Sequence, residues 1–389
     1  MPGFRRAAYL RMESAPGAFE PLRHRERTQA RALVVRGAGF AARIRGGVNE
    51  RLNDLSLCGR PLERLPLVTL YLSERCNSRC VTCDFWRHGH ADMTLERVAR
   101  LAPSLTALGT EVVLISGGEP LVNREWLAIA DLLRSSGFTL WLLTSGLSLV
   151  KHAATVARRF DRVTVSLDGA CAETYAAIRG VDAFDHVLAG IRAAAAAGAI
   201  VTVRATVQRA NFRELPALVD VARAAGARQI SFLAVDAANP HAFARRDERR
   251  PDVSLHSEDL PQFERILSAL ARSHASDFAS GFIAESPRKL ARLLEYFAAV
   301  CGLGPFPQVR CNAPEFSAVV DARGRVQPCF FIPGPPAEAD RAAGADVEGA
   351  DFLRTLNAPA MRALRSDIHA RRRPECATCV CSMWREVPG

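Results

Sequence analysis

Lysine is almost missing from this chain. Lys151 and Lys289 are the only two in 389 residues, so the net charge of +10 is carried by arginine. A bias of that kind reads as genomic base composition rather than as a binding function. Long apolar runs are absent as well. No segment approaches the ~20 apolar residues that cross a bilayer, and the N-terminal stretch MPGFRRAAYLRMES lacks the continuous apolar core of a secretory signal. A membrane span is therefore excluded and a cytoplasmic location expected; Glu13, Glu20 and Glu26 also argue against an organelle transit peptide. Residues 1–60 hold twelve arginines against five acids, a local surplus of seven. They lack the aromatic interleaving of a single-strand stacking platform. Nucleic acid is thus not the expected partner, and residues 1–65 read as an arginine-rich, solvated helical extension.

What is present suits a globular α/β protein: 49% apolar residues in a chain long enough for one large domain and a smaller one. Short β-branched runs alternate with amphipathic stretches, which predicts parallel βα units. Strands are expected at 67–73, 111–116, 138–144, 162–168, 200–207 and 229–235. Helices are expected to start near Thr94, Asn123, Asp182 and Asn211, with Gly109, Gly137, Gly198 and Gly226 at their ends. Two further helices are expected at about 257–275 and 286–300, after a polar loop over 236–256 that carries His241, Arg245 and Arg246. Six strands are too few for a closed eight-fold barrel.

The 11 cysteines are grouped in tight clusters without a signal segment, which points to metal in a reducing compartment rather than to disulfides. Cys58 and Cys171 stand apart and read as free thiols. The first cluster, Cys76, Cys80 and Cys83, has C-x3-C-x2-C spacing in a loop directly after the apolar run LVTLYLS. A protein-saturated [4Fe-4S] cube takes four thiolates; three leave one iron open for a substrate or cofactor. A zinc site is the bland alternative, with His88 or His90 as a fourth ligand. Further along come Gly117, Gly118 and Glu119 in ISGGEP, Ser166 and Asp168 in VTVSLDG, Arg179 in AIRG and Arg204 in VTVRATV. Each of these falls at or after the C-terminal end of an expected strand, the face where barrel enzymes place their chemistry.

Together these motifs resemble the radical S-adenosylmethionine (SAM) superfamily over roughly residues 66–236. The resemblance implies a partial (β/α)6 TIM-type barrel and a [4Fe-4S] cluster on Cys76, Cys80 and Cys83 whose open iron chelates SAM. It also implies that Gly117, Gly118 and Glu119 hold the methionine amino group, and that Ser166, Asp168, Arg179 and Arg204 contact SAM. One departure is Thr82, just before Cys83, where relatives often carry an aromatic residue packed on adenine; Phe85 or Trp86 is expected to stand in.

In the second cluster, Cys311 and Cys329 enclose Gly324 in a C-x12-G-x4-C run. FSAVVD and RVQPCF alternate as paired strands with a turn at Gly324, so a hairpin returns both thiols to one end. The tail ECATCVCSMW adds Cys376, Cys379 and Cys381. This region resembles the SPASM and twitch auxiliary-cluster domains, and its shortened tail favours one auxiliary [4Fe-4S] cluster on Cys311, Cys329, Cys376 and Cys379, with Cys301 and Cys381 spare. Structural zinc in the same ligands is the alternative. The expected layout is an extension over 1–65, the barrel and its connecting helices over 66–300, and a small cysteine-rich auxiliary-cluster domain over 301–389.

The resemblance implies an oxidoreductase-type enzyme that takes electrons from a flavodoxin or ferredoxin, cleaves SAM and abstracts hydrogen from a small-molecule substrate. Modification of a ribosomal peptide is the rival. A non-catalytic iron-sulfur or RNA-binding protein is the reading of a different class. The residues single out no acid or base.

Overall fold

The computed structural model describes residues 60–236, 239, 243, 252–308, 310–335, 352–381 and 383–385. The extension over 1–59, Cys58 and the loop residues His241, Arg245 and Arg246 lie outside the described residues. β1 (Leu67–Ser73), β2 (Val112–Gly117), β3 (Thr139–Thr144), β4 (Arg162–Ser166), β5 (Val201–Val207) and β6 (Gln229–Ala234) are all parallel and lie side by side in sequence order. Helices follow the strands, as right-handed βαβ crossovers require. The architecture is the α/β partial barrel expected of the sequence.

The two strands of the expected hairpin bring the sheet to eight among the described residues. β7 (Ser317–Val320) pairs in parallel with β1, and β8 (Val326–Gln327) pairs antiparallel with β7, so the second cysteine region continues the barrel's own sheet. The hairpin turns at Gly324, whose φ of 87° suits glycine. The opposite edge is also covered. Ile283 bridges Ile230 of β6, through Ile230 N–H to Phe282 O at 2.8 Å and Ala284 N–H to Ile230 O at 2.8 Å.

The strands form because their runs are apolar on the face that helices cover. Val163, Val165, Val203 and Ala205 are fully buried there. The helix Leu149–Arg159 buries Leu149, Ala153 and Val156, the i, i+4, i+7 stripe of an amphipathic helix. Thr94 caps the helix Leu95–Ala107 by accepting from Arg97 N–H. Gly109, Gly137, Gly198 and Gly226 all follow helix ends with positive φ. Asn123 and Asn211, expected to start helices, do other work. The next helices begin at Trp126 and, after a 3-10 turn over Phe212–Glu214, at Leu215, and the Ala-rich helix begins at Phe184 rather than Asp182. Among the described residues, no helix is long and apolar enough to cross a membrane.

Asn123 instead pins the barrel's mouth. Its Nδ2 donates to Leu72 O (2.7 Å) and Met93 O (2.8 Å), and its Oδ1 accepts from Glu125 N–H. The residue is buried, so Asn123→Ala would take this donor from Met93 O and leave Leu72 O with Met93 N–H alone, and would also remove the acceptor of Glu125 N–H. A destabilisation of about 2–3 kcal/mol is expected, read as a lower denaturant midpoint; an unchanged midpoint would show the clamp to be idle.

Candidate functional site

Between β1 and the short helix Phe85–His88 the chain forms an irregular loop, and its shape is set by backbone contacts from two distant turns. Gly118 N–H donates to Ser73 O (2.7 Å) and Glu119 N–H to Arg75 O (2.8 Å), fixing the approach to Cys76. On the other flank, Arg79 N–H donates to Arg179 O (2.9 Å) and Val81 N–H to Ile178 O (3.0 Å), straddling Cys80. Both turns need glycine for the same reason. A Cβ on Gly118 would press into Arg75 O and stand 2.8 Å from Glu74 O, and one on Gly180, at φ 68°, would press into Arg79 O. The glycines of ISGGEP and AIRG are therefore seats for the cysteine loop.

Cys76, Cys80 and Cys83 are brought together on this loop. Each is part-buried, and their charges act on one another. Burial pushes the Cys76 thiol up to about 11, with Glu119 and Cys80 adding to it, and pushes Cys83 up to about 12, reinforced by Cys80. Burial likewise raises Cys80, against the pull of Arg179. Binding a metal group here must displace those protons. Among the described residues no three cysteine sulfurs lie within 4.8 Å of one another. His88 is exposed and His90 N–H donates to Glu74 (3.2 Å); neither joins the thiols.

Glu119 is 0% exposed. Its carboxylate accepts from Thr144 Oγ1 (2.9 and 3.0 Å), Ser145 N–H (2.6 Å) and Leu121 N–H (3.1 Å), tying the end of β2 to the end of β3. Asp168, also buried, pairs with Arg179 at 3.1 Å and accepts from Thr206 N–H at 2.7 Å. Arg179 is the cation that faces the triad. Its charge pulls down all three thiols, while Cys80 and Asp168 raise it against desolvation, and its buried Nε has no partner. A tris-thiolate cluster is anionic, and an orphaned guanidinium edge beside it fits such a group. Ser166 ends β4 in register with Arg204 of β5. Arg204 acts on Cys381 and Glu285.

Phe85 packs edge-on against Tyr71 (5.7 Å between centroids), and Trp86 Nε1–H donates to Cys80 O (3.3 Å). Tyr71 escaped the sequence reading, although strand alternation placed it on the inner face with Thr69. Its ring also meets Phe330 (6.3 Å), and its hydroxyl, raised by burial, feels both Cys329 and Cys83. Tyr71 thus stands between the two cysteine regions.

Cys311, Cys329, Cys376, Cys379 and Cys381 line one cavity of about 60 Å³. Burial pushes Cys329 up to about 12 and Cys376 up to about 11, and raises Cys379 and Cys381. Cys301 is elsewhere, donating to Leu255 O (3.3 Å) near Glu258 and Asp259. Cys171 is exposed. His256, Glu258 and Asp259 do cluster within 4.8 Å, but Arg209 answers both acids at 3.4 and 3.0 Å and Arg213 answers Asp259 at 3.0 Å, which makes an ion network fastening this segment to the end of β5.

The two cysteine regions are braced by Glu74, two residues before Cys76, and Arg323 of the hairpin turn, paired at 2.8 and 3.0 Å. Burial alone would raise the Glu74 carboxyl, but the bonds from Arg323, Ala91 N–H and His90 N–H outweigh it and hold it at about 2, from 4.5. The pair's stabilisation is complete above about pH 4.5 and disappears as pH falls toward 2. Arg323→Gln is expected to move acid unfolding to higher pH; superimposable acid curves by circular dichroism would contradict this.

A family model for the radical SAM superfamily matches residues 70–222. GTP 3',8-cyclase of Marinobacter nauticus is 34% identical over 165 residues, 40% of this chain and 50% of the relative. Fe-coproporphyrin III synthase of Methanosarcina barkeri is 27% identical over 223 residues, 56% of this chain and 54% of the relative. The chain spans about half the length of these curated relatives. Among solved structures, Streptococcus suis SuiB bound to precursor peptide SuiA aligns with a TM-score of 0.56 at 12% identity, over 87% of this chain and 75% of that one. Native anSMEcpe with bound AdoMet and Cp18Cys peptide aligns at 0.58 and 17%, over 81% and 86%. Identities this low speak for a shared fold.

Proposed function

We propose that this chain, whose residues 70–222 match the radical SAM family model, reductively cleaves SAM and abstracts hydrogen from a small-molecule substrate. The observation that carries the proposal is the convergence of three part-buried thiols, the Glu119 turn and the Arg179 cation at the C-terminal mouth of parallel strands. Cys76, Cys80 and Cys83 would hold a [4Fe-4S] cluster with one iron left for SAM. When bound, cluster and SAM supply a 5′-deoxyadenosyl radical from an electron delivered by a flavodoxin or ferredoxin. The chain's own groups prepare the place. Arg179 offsets the thiolates' negative charge, and Asp168 holds Arg179 in position. Glu119 fixes the turn beside Cys76, with Gly117, Gly118, Ser166 and Asp168 in reach of the same mouth. Phe85 and Phe330 pack on Tyr71, which puts an apolar aromatic group between the two cysteine regions. Cys311, Cys329, Cys376 and Cys379 would hold one auxiliary [4Fe-4S] cluster that accepts the substrate's electron or anchors the substrate.

The curated relatives' names, a GTP cyclase and a coproporphyrin synthase, favour a small molecule. The peptide-bound SuiB and anSMEcpe structures favour a second reading, modification of a ribosomal peptide. Both readings share one test. Anaerobically reconstituted protein is incubated with SAM and dithionite and assayed for 5′-deoxyadenosine. An iron-loaded sample that forms none would reject the enzyme and leave a non-catalytic iron-sulfur protein; among enzymes, a co-purifying peptide would favour the second reading.

A further inference from the structure

The proposed chemistry needs an electron delivered by another protein, and the cysteine loop presents a small surface of its own to solvent. The acids of residues 74–92 are Glu74, Asp84 and Asp92. Each is answered by an arginine: Glu74 by Arg323 at 2.8 Å, Asp84 by Arg87 at 3.4 Å and Asp92 by Arg75. Arg79, next to Cys80, is left over. It is exposed and pairs with no acid among the described residues. On the other side of Cys80, Val81 is 40% exposed. Trp86 joins them, because its Nε1–H donates to Cys80 O, the carbonyl of the Cys80–Val81 peptide, at 3.3 Å. The Arg87 guanidinium lies over the Trp86 ring at 4.7 Å and is half exposed, whereas the Asp84 side chain is 16% exposed, so solvent meets the cation of that pair more than its acid. Two arginines, a tryptophan and an open valine are thus gathered around the backbone of one triad residue. Arginine and tryptophan are the side chains that carry protein interfaces.

The place of this surface says what it is for. None of the four side chains shapes the loop, since the bonds that seat it at Arg79 and Val81 come from their backbone N–H groups. A partner resting on them has one indole and one hydrogen bond between itself and Cys80. The exposed charge is positive, so the partner it attracts is acidic. Electron-transfer encounters bury little area and depend on charge for their rate, and a patch of this size and sign suits one. We propose that Arg79, Val81, Trp86 and Arg87 form the docking face for the electron donor, an acidic one-electron carrier protein. This rests on the radical SAM reading and adds where the donor sits. One electron leaves the reduced carrier, which is thereby oxidised, and enters the group held by Cys76, Cys80 and Cys83. No bond is made or broken at the face.

The test uses the anaerobically reconstituted protein with two probes, an acidic flavodoxin and an acidic [2Fe-2S] ferredoxin. Affinity is read by calorimetry with the oxidised carrier, and electron delivery by stopped-flow bleaching of the iron-sulfur absorbance with the reduced one. Wild type is expected to bind and take electrons from at least one probe, more weakly as ionic strength rises. Arg79→Glu is expected to bind that probe about tenfold more weakly and to be reduced about tenfold more slowly. Val81→Glu should do the same, and it serves if Arg79→Glu does not fold. Arg158→Glu, at an exposed position on the last turn of the helix Leu149–Arg159, makes the same change in net charge away from the loop and should match the wild type. Bleaching by dithionite, which needs no docking face, should be equal in all four proteins. Four results would overturn the proposal: no electron delivery to wild type by either probe, wild-type behaviour in both loop variants, an equal loss in Arg158→Glu, or slowed bleaching by dithionite in the loop variants, which would assign the effect to the loop's shape. Deoxyadenosine formation by wild type with dithionite is a separate readout. Its absence would sink the function proposed above and leave the docking result standing.

Discussion

Replacing Cys76, Cys80 and Cys83 together by alanine is expected to leave a folded chain with about four iron atoms where the wild type holds about eight, and to abolish deoxyadenosine formation by at least about a thousandfold. The loop should survive the change because its shape comes from backbone bonds. Ser73, Arg75, Arg79 and Val81 are tied to Gly118, Glu119, Arg179 and Ile178 without help from a thiol. Arg179 would keep its partner Asp168. The four irons left should belong to the cavity of Cys311, Cys329, Cys376 and Cys379, so adding Cys311→Ala and Cys376→Ala to the triple variant should bring iron near zero. Iron and sulfide quantitation together with electron paramagnetic resonance of the dithionite-reduced samples reads the outcome. A triple variant that keeps about eight irons would remove the triad from the ligand set. A wild type with about four would remove the auxiliary cluster.

How far the sequence could be read follows from the range of each interaction. The strands were legible to within about two residues because a run such as LVTLYLS or VTVRATV carries its burial pattern locally, and β1 and β5 occupy 67–73 and 201–207. The hairpin was legible because Gly324 and its flanking alternation lie within a dozen residues. The pairing of β7 with β1 was not. It joins Leu67 to Ser317 across 250 residues, and nothing in either run names the other. Asn211 misled for a related reason. Its side chain reads as a helix cap, yet its Nδ2 donates to Asp168 O (2.8 Å) and Thr206 O (2.9 Å), holding the β4 and β5 ends at the mouth. The motifs AIRG and VTVRATV single out Arg179 and Arg204, but only the fold shows Arg179 paired with Asp168 beside the triad. Cys381 sits in the auxiliary cavity beside the four thiols chosen from spacing, and a count of cysteines could not tell it from Cys301, which lies near Leu255.

Gly118→Ala should strip iron from the triad with no change in any ligand. The added methyl would press into Arg75 O and lie 2.8 Å from Glu74 O. Both are backbone atoms of the segment leading into Cys76, so no side chain can swing aside to make room. Either the ISGGEP turn or the cysteine loop has to move by about an ångström, and Gly118 N–H to Ser73 O and Glu119 N–H to Arg75 O would be strained with it. Overpacking of this kind typically costs about 1–3 kcal/mol, and an ångström of misplacement at a catalytic group costs about a hundredfold in rate. The variant is therefore expected to fold, to hold about half the wild-type iron, and to form deoxyadenosine about a hundredfold more slowly. Gly137→Ala supplies the control. Gly137 has φ of 90° but nothing within 4 Å of an added Cβ, so alanine there meets backbone strain without a clash and lies after the helix Trp126–Ser135. It should cost about 1 kcal/mol of stability and leave iron and SAM cleavage as in the wild type. Equal iron content in the two variants, with equal loss of stability, would mean that the glycine turn does not seat the loop and that the triad's geometry has another source.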